Sequence, residues 1–255
     1  MLWYKSWLET RWRFLIGLGL LTLSAATTVL YYPELMKLVP AAGSIDTSGE
    51  IGRRIREGVE LARDFRGYVW SQVFRQNLPQ TGTLFAVLLG SGNLLSPGSG
   101  DATLFTLSLP VSRHRLLGVR AVTGLGELLL LAFVPSLLVP AIAPAIGHSY
   151  SLGSALVHGT CLFVAAAVFF SLAFLLSTVF SDLWRPLLIA CAVAVVLALC
   201  EQILRDLSRY GIFRVMSGET YFRGNGLPWI GLLVAASLSV VMLYGAAMNI
   251  ARRDF

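Results

Sequence analysis

The sequence predicts an all-α integral membrane protein of six transmembrane helices, with an amphipathic interfacial helix at its start and a long amphipathic outer helix between the first and second spans. Three observations carry this. Of 255 residues, 56% are hydrophobic and only 13% charged, against about a quarter charged in ordinary soluble chains. The mean hydropathy is +0.71. The apolar residues also come in separated runs, near the ~20 residues a helix needs to cross the roughly 30 Å hydrocarbon layer. Spans are expected at about 14–32, 79–96, 116–143, 156–180, 185–201 and 227–250, in one transmembrane domain over 1–255.

The first thirteen residues hold Trp3, Tyr4, Trp7, Leu8 and Trp12 along one helical side, with Lys5, Glu9 and Arg13 on the other. Such a segment lies flat in the headgroup layer. The apolar run after it has no small-residue cleavage site before Tyr31-Tyr32-Pro33, so it is expected to stay as an uncleaved first span. In the outer region 33–78, Ile51, Ile55, Val59, Ala62, Val69 and Val73 recur at helical spacing between arginines and acids, and Thr47 or Ser48 can cap them. This reads as one amphipathic helix of about seven turns.

The second span is short and contains Gly90-Ser91-Gly92-Asn93. Its glycines permit close helix packing, and Asn93 is a candidate for a polar cavity. The third span carries Arg120 and Glu127 in its first third and Pro135, Pro140 and Pro144 near its end, so it should kink or break late. Glu127 is the intramembrane residue with the strongest functional claim. An ionisable group at that depth costs about 2.5–3.5 kcal/mol unless it meets water, a partner or a proton. Two readings stand level: Glu127 faces a translocation cavity, or it forms a structural ion pair with Arg120 or Arg185. Ala165-Ala166-Ala167 and Gly245-Ala246-Ala247 read as packing faces. The outer segment 201–226 offers a helical Ile203, Leu204, Leu207 set and then a glycine-rich tail.

Basic residues set the expected orientation. With the amino terminus cytoplasmic, the inner segments hold Lys5, Arg11, Arg13, Arg113, Arg115, Arg120, Arg185, Arg252 and Arg253, and the connection between spans three and four holds none. The first outer connection holds Lys37 and six arginines, and the last holds Arg205, Arg209, Arg214 and Arg223. Six spans return the carboxyl terminus to the cytoplasmic side, in a cell membrane. The net charge of +6 is spread over these loops rather than gathered on one face, so membrane lipids and an acidic partner surface, not nucleic acid, are its counterparts.

No phosphate-cradling loop and no His or Cys pair at metal-ligand spacing occurs. The chain is therefore expected to bind no cofactor or metal itself and not to be an enzyme. Gly147-His148-Ser149-Tyr150-Ser151 has part of a nucleophile-elbow pattern but lacks its final glycine, and it reads as an outer turn. Cys161, Cys191 and Cys200 lie in apolar runs and read as small packing residues.

The stretch Asp101 to Arg120 is the most telling. Asp101 can cap a short helix bearing Leu104, Phe105, Leu107 and Leu109. Pro110 ends it, and Ser112 caps the helix that enters the membrane. Leu107-Ser108-Leu109-Pro110-Val111-Ser112-Arg113 resembles the first cytoplasmic loop of ABC-2 type permeases, the membrane subunits of one class of ABC transporter. The resemblance covers nearly the whole chain, down to Arg252-Arg253-Asp254-Phe255; many members carry an acid and Gly-Thr before the loop helix, where this chain has Gly100-Asp101-Ala102-Thr103.

The resemblance implies a permease domain in which two six-span subunits form a path between them, driven by two separate ATP-binding cassette ATPase subunits that carry ATP and Mg. Loop 97–115 would be the ATPase-coupling loop, with Asp101, Leu104, Phe105, Leu109, Pro110, Val111, Ser112, Arg113 and Arg115 as its residues: Leu104, Phe105 and Leu109 would insert into a groove on the ATPase, and Arg113 and Arg115 would pair acidic groups or phosphates at the rim. It also implies short helices dipping into the outer leaflet before the last span. Glu127 and Asn93 are the translocation-path candidates. The rival readings are a proton- or ion-coupled secondary transporter or channel using Glu127, a non-transporting membrane anchor for an ATPase, and an intramembrane enzyme.

Overall fold

A computed structural model describes residues 2–42, 58–61, 63–92, 113–180, 182–203 and 211–251. Asn93, Asp101, Leu104, Phe105, Leu109, Pro110, Val111 and Ser112 lie outside these residues. So do Thr47, Ser48, Ile51, Ile55, Ala62, Leu204, Leu207 and the last four residues; of Arg113 only the backbone is described.

Every regular element among the described residues is helical. The first, α1 (Leu2–Ala42), runs without a break, for about 60 Å at 1.5 Å per residue. That is twice the hydrocarbon thickness, so its apolar middle crosses and both ends project. The interfacial start is thus not a separate helix. Its aromatics also do not share one surface: Trp3, Tyr4 and Trp12 are exposed, whereas Trp7 turns inward against Phe14 at 5.5 Å.

The long outer helix expected through Val73 is interrupted at Asp64. Asp64 is extended (φ −93°, ψ 129°), and its side chain accepts from the Gly67 N–H to start α2 (Phe65–Val69). The chain continues through a π-helical stretch (Trp70–Asn77) into α3 (Leu78–Gly90), and extended Ser91 ends it. Val69 and Val73 are fully buried in the bundle. These two, the described later members of the expected stripe, lie on the helical run that leads into α3. That run begins well before residue 79, and its helix ends at Gly90.

The third crossing, α4 (Arg113–Ile142), keeps its helix past Pro135 and Pro140. It then tightens to a 3₁₀ turn (Ala143–Ile146) and closes on left-handed Gly147 (φ 74°), the late break that its prolines predict. Next comes α5 (Leu152–Val179), the central element: two-thirds of its apolar window is buried inside the protein, against a third or less for the other long helices. Small residues allow this. Ala165, Ala166 and Ala167 are buried, and a Cβ on Gly90 of α3 would lie 2.3 Å from the Phe170 carbonyl, so the two backbones touch.

Peripheral α6 (Trp184–Ile203) is followed by two short helices, α7 (Ile212–Ser217) and α8 (Glu219–Phe222), joined by left-handed Gly218. These tuck against α5 and the π stretch, with Val215, Met216 and Ser217 buried. The last helix, α9 (Trp229–Ala251), carries Asn249, which donates to the Thr178 carbonyl (3.1 Å) at the end of α5.

Among the described residues, α1, α4 with its 3₁₀ turn, α5, α6 and α9 are long and apolar enough to cross a membrane. The helical run from α2 to α3 packs beside them with a more polar first half and is not among these. The protein is an all-α, multi-pass membrane protein, and the start of α1 and the end of α9 lie at one end of the bundle, called the near end below.

Candidate functional site

At the near end four helices meet over charged side chains. Arg13 of α1 donates through Nη1 to the carbonyls of Leu88 (2.9 Å) and Ser91 (2.7 Å), closing the end of α3 where helix carbonyls lack partners. The Gly92 N–H donates to Ser177 Oγ of α5 (3.3 Å). Arg120 of α4 lies so close over Gly92 that a Cβ there would fall 1.5 Å from Nη2 and the guanidinium would have to shift. Its guanidinium pairs with Glu9 at 3.6 Å.

Glu127 is 3% exposed. Thr10 Oγ1 donates to its Oε1 (2.5 Å), and Oε2 has no hydrogen-bond partner among the described residues. The expected ion pairs do not form: Arg120 is engaged by Glu9, and Arg185 pairs with Asp182 (3.1 Å). The site thus joins two guanidinium and two carboxylate groups through α1, α3, α4 and α5. Charge balance and the shared helix ends make it a mechanical junction. Among the described residues no group of His, Cys, Asp and Glu could hold a metal ion.

Of the path and loop candidates, the structure places Glu127 in this junction and leaves Arg115 exposed at the start of α4. Sequence reasoning missed Glu9, Thr10, Arg13, Ser91 and Ser177. In the sequence Glu9 and Arg13 mark the polar side of an amphipathic start, and Arg13 also the inner membrane face, with no sign of this junction. The signal for Gly92 was present, since a glycine beside a polar helix end permits a close neighbour.

The opposite end is aromatic. Tyr32, Phe65, Tyr68 and His148 cluster, with the Phe65 and His148 rings stacked at 4.8 Å. Trp70 stacks on Phe222 at 4.2 Å and donates Nε1–H to the Ser217 carbonyl (3.1 Å). Phe74 stacks on buried His158 at 4.4 Å, and a Cβ on Gly218 would meet His158 Nδ1 at 2.6 Å. The segment from Gly147 to Ser151 is thus a turn whose His148 is held in a ring cluster. All three cysteines are free, and Cys161 packs with Val215 and Leu232.

Burial pushes the Tyr150 hydroxyl well above its usual range, and its oxygen lacks a partner among the described residues. A Tyr150→Phe variant should be neutral or up to about 1 kcal/mol more stable near pH 7, because an unsatisfied buried hydroxyl is removed. The folded pKa lies above the unfolded one, so the neutral hydroxyl's contribution is complete below about pH 10 and is lost as pH rises further. Thermal unfolding between pH 8 and 11 should therefore show a weaker alkaline decline in the variant.

No family model, no curated protein and no solved structure matches this chain. The fold and the near-end junction are those of a multi-pass membrane bundle compatible with a transport-related role.

Proposed function

We propose that this chain is the membrane-spanning permease subunit of an ATP-binding cassette exporter, paired with a second permease subunit and driven by separate ATPase subunits. The observation that carries it is the near-end junction. Loop 93–112 joins the end of α3 to the start of α4, and the residues on both flanks are tied together: Ser91 and Gly92 to Arg13, Arg120 and Ser177, and Arg120 to Glu9. A displacement of that loop would pass to α1, α3, α4 and α5 as a unit, because charged contacts and packed backbones resist continuous deformation. The near end is then the cytoplasmic one, with both termini there, in the plasma or inner membrane. ATP and Mg belong to the partner.

The test is capture of an ATPase subunit. Leu104→Asp or Phe105→Asp should abolish its co-purification while the permease still inserts and purifies, and undiminished capture would count against the reading. One observation favours a second reading. Glu127 has an unpartnered oxygen deep in the bundle, as an ion- or proton-coupled transporter would need. Uptake driven by an ion gradient in proteoliposomes holding this chain alone separates the two.

A further inference from the structure

The helix from Trp70 to Gly90 presents a continuous lane to the outside of the bundle. Gln72, Gln76, Gln80, Leu84 and Leu88 follow at steps of four, and Gln76, Gln80 and Leu84 are exposed. A step of four falls short of the wide π turn above and overshoots the α turn below, so the lane stays on one side of the helix. The inward side of the same helix is tightly packed, with Trp70, Val73, Phe74, Leu78 and Val87 all nearly or fully buried.

Arg75, exposed one residue before Gln76, is the charge that borders this lane. Its guanidinium sits over the Trp70 ring at 5.5 Å. No carboxylate among the described residues pairs with it. Its level is set by its neighbours: Phe74 stacks on His158 inside α5, and the Asn77 amide donates to Thr28 Oγ1 inside α1 (3.3 Å). Both are helices apolar enough to cross a membrane. His158 is near the start of α5 and Thr28 near the end of α1's apolar run, so this level is the aromatic end of the bundle, where an arginine and two glutamines stand at the depth of lipid headgroups. Below them the lane turns apolar at Leu84 and Leu88.

From this order we infer that the lane is a laterally open binding site for a single-chain anionic amphiphile. Arg75 and the amides of Gln76 and Gln80 take the phosphate or carboxylate head, and the tail lies along Leu84 and Leu88. Charge complementarity selects this occupant, since the cation that borders the lane lacks an anion among the described residues. The site is independent of the exporter reading, and its test needs no ATPase.

Purified protein in neutral maltoside detergent is titrated with dodecyl phosphate, with dodecylphosphocholine and with inorganic phosphate. Tryptophan fluorescence is followed, and a Trp70→Phe variant isolates the Trp70 signal; native mass spectrometry reads bound copies where fluorescence is silent. Dodecyl phosphate should bind about tenfold more tightly than dodecylphosphocholine, as one charge-assisted contact would give. Inorganic phosphate should not bind, Arg75→Gln should erase the preference and Arg75→Lys should keep most of it. Equal preference in Arg75→Gln, or inorganic phosphate binding as well as the amphiphile, would overturn the inference. So would Gln76→Cys cross-linking two copies of the chain whether or not the amphiphile is present.

Discussion

Arg13→Ala is expected to destabilise the protein by about 3 kcal/mol, read as a lower thermal midpoint in detergent, since hydrogen bonds to charged groups contribute about 1.5–3 kcal/mol each. Two such bonds are lost at once, to the Leu88 and Ser91 carbonyls. Their acceptors sit at the end of α3, where the helix dipole is negative and backbone N–H donors run out, the Ser91 hydroxyl also donating to the Leu88 carbonyl at 3.2 Å. Arg13→Lys keeps the charge but not the fork, so it should recover about half of the loss. If the exporter reading holds, Arg13→Ala should still capture the ATPase but lose substrate-stimulated hydrolysis, because the loop would no longer move α3 with α1. A variant within about 0.5 kcal/mol of the parent, the range of an ordinary surface change, would mean that Arg13 does not hold α3.

Helical class and most crossings were legible because apolar runs report themselves: the residues of α1, α5, α6 and α9 form long uncharged or nearly uncharged stretches. The late change in α4 was legible from Pro135, Pro140 and Pro144, and Ala165 to Ala167 from their size. The helical run before α3 was hard to read for a physical reason. Its first half contains Arg75, Gln76, Asn77 and Gln80, which a hydropathy reading assigns to water, yet its apolar residues face inward around Trp70 and Phe74. Periodicity could not separate a stripe buried in protein from a stripe laid on a membrane, and the cue that does, Asp64 as a helix start, was one acid among many. The junction was half legible. Glu127 announced itself by its cost, but its partner is an uncharged hydroxyl more than a hundred positions away, and Thr10 carried no local sign of that pairing.

Thr10→Val is expected to be damaging, at about 1.5–3 kcal/mol, the range for a buried hydrogen bond to a charged group. The substitution is nearly isosteric, so the loss comes from leaving both Glu127 oxygens without a donor in a site 3% exposed. Glu127→Leu alone should cost less, because the group left behind is a hydroxyl that can still donate to the Ser6 carbonyl at 3.2 Å. The double variant should therefore be more stable than Thr10→Val alone, an interaction term that a double-mutant cycle measures directly. The same cycle separates the two roles of Glu127. If the carboxyl serves only packing, the double variant regains transport along with stability; if it serves the path, stability returns and transport does not. A Thr10→Val protein as stable as the parent would show that the carboxyl does not depend on this bond, and the junction would have to be held by Arg13 and Arg120 alone.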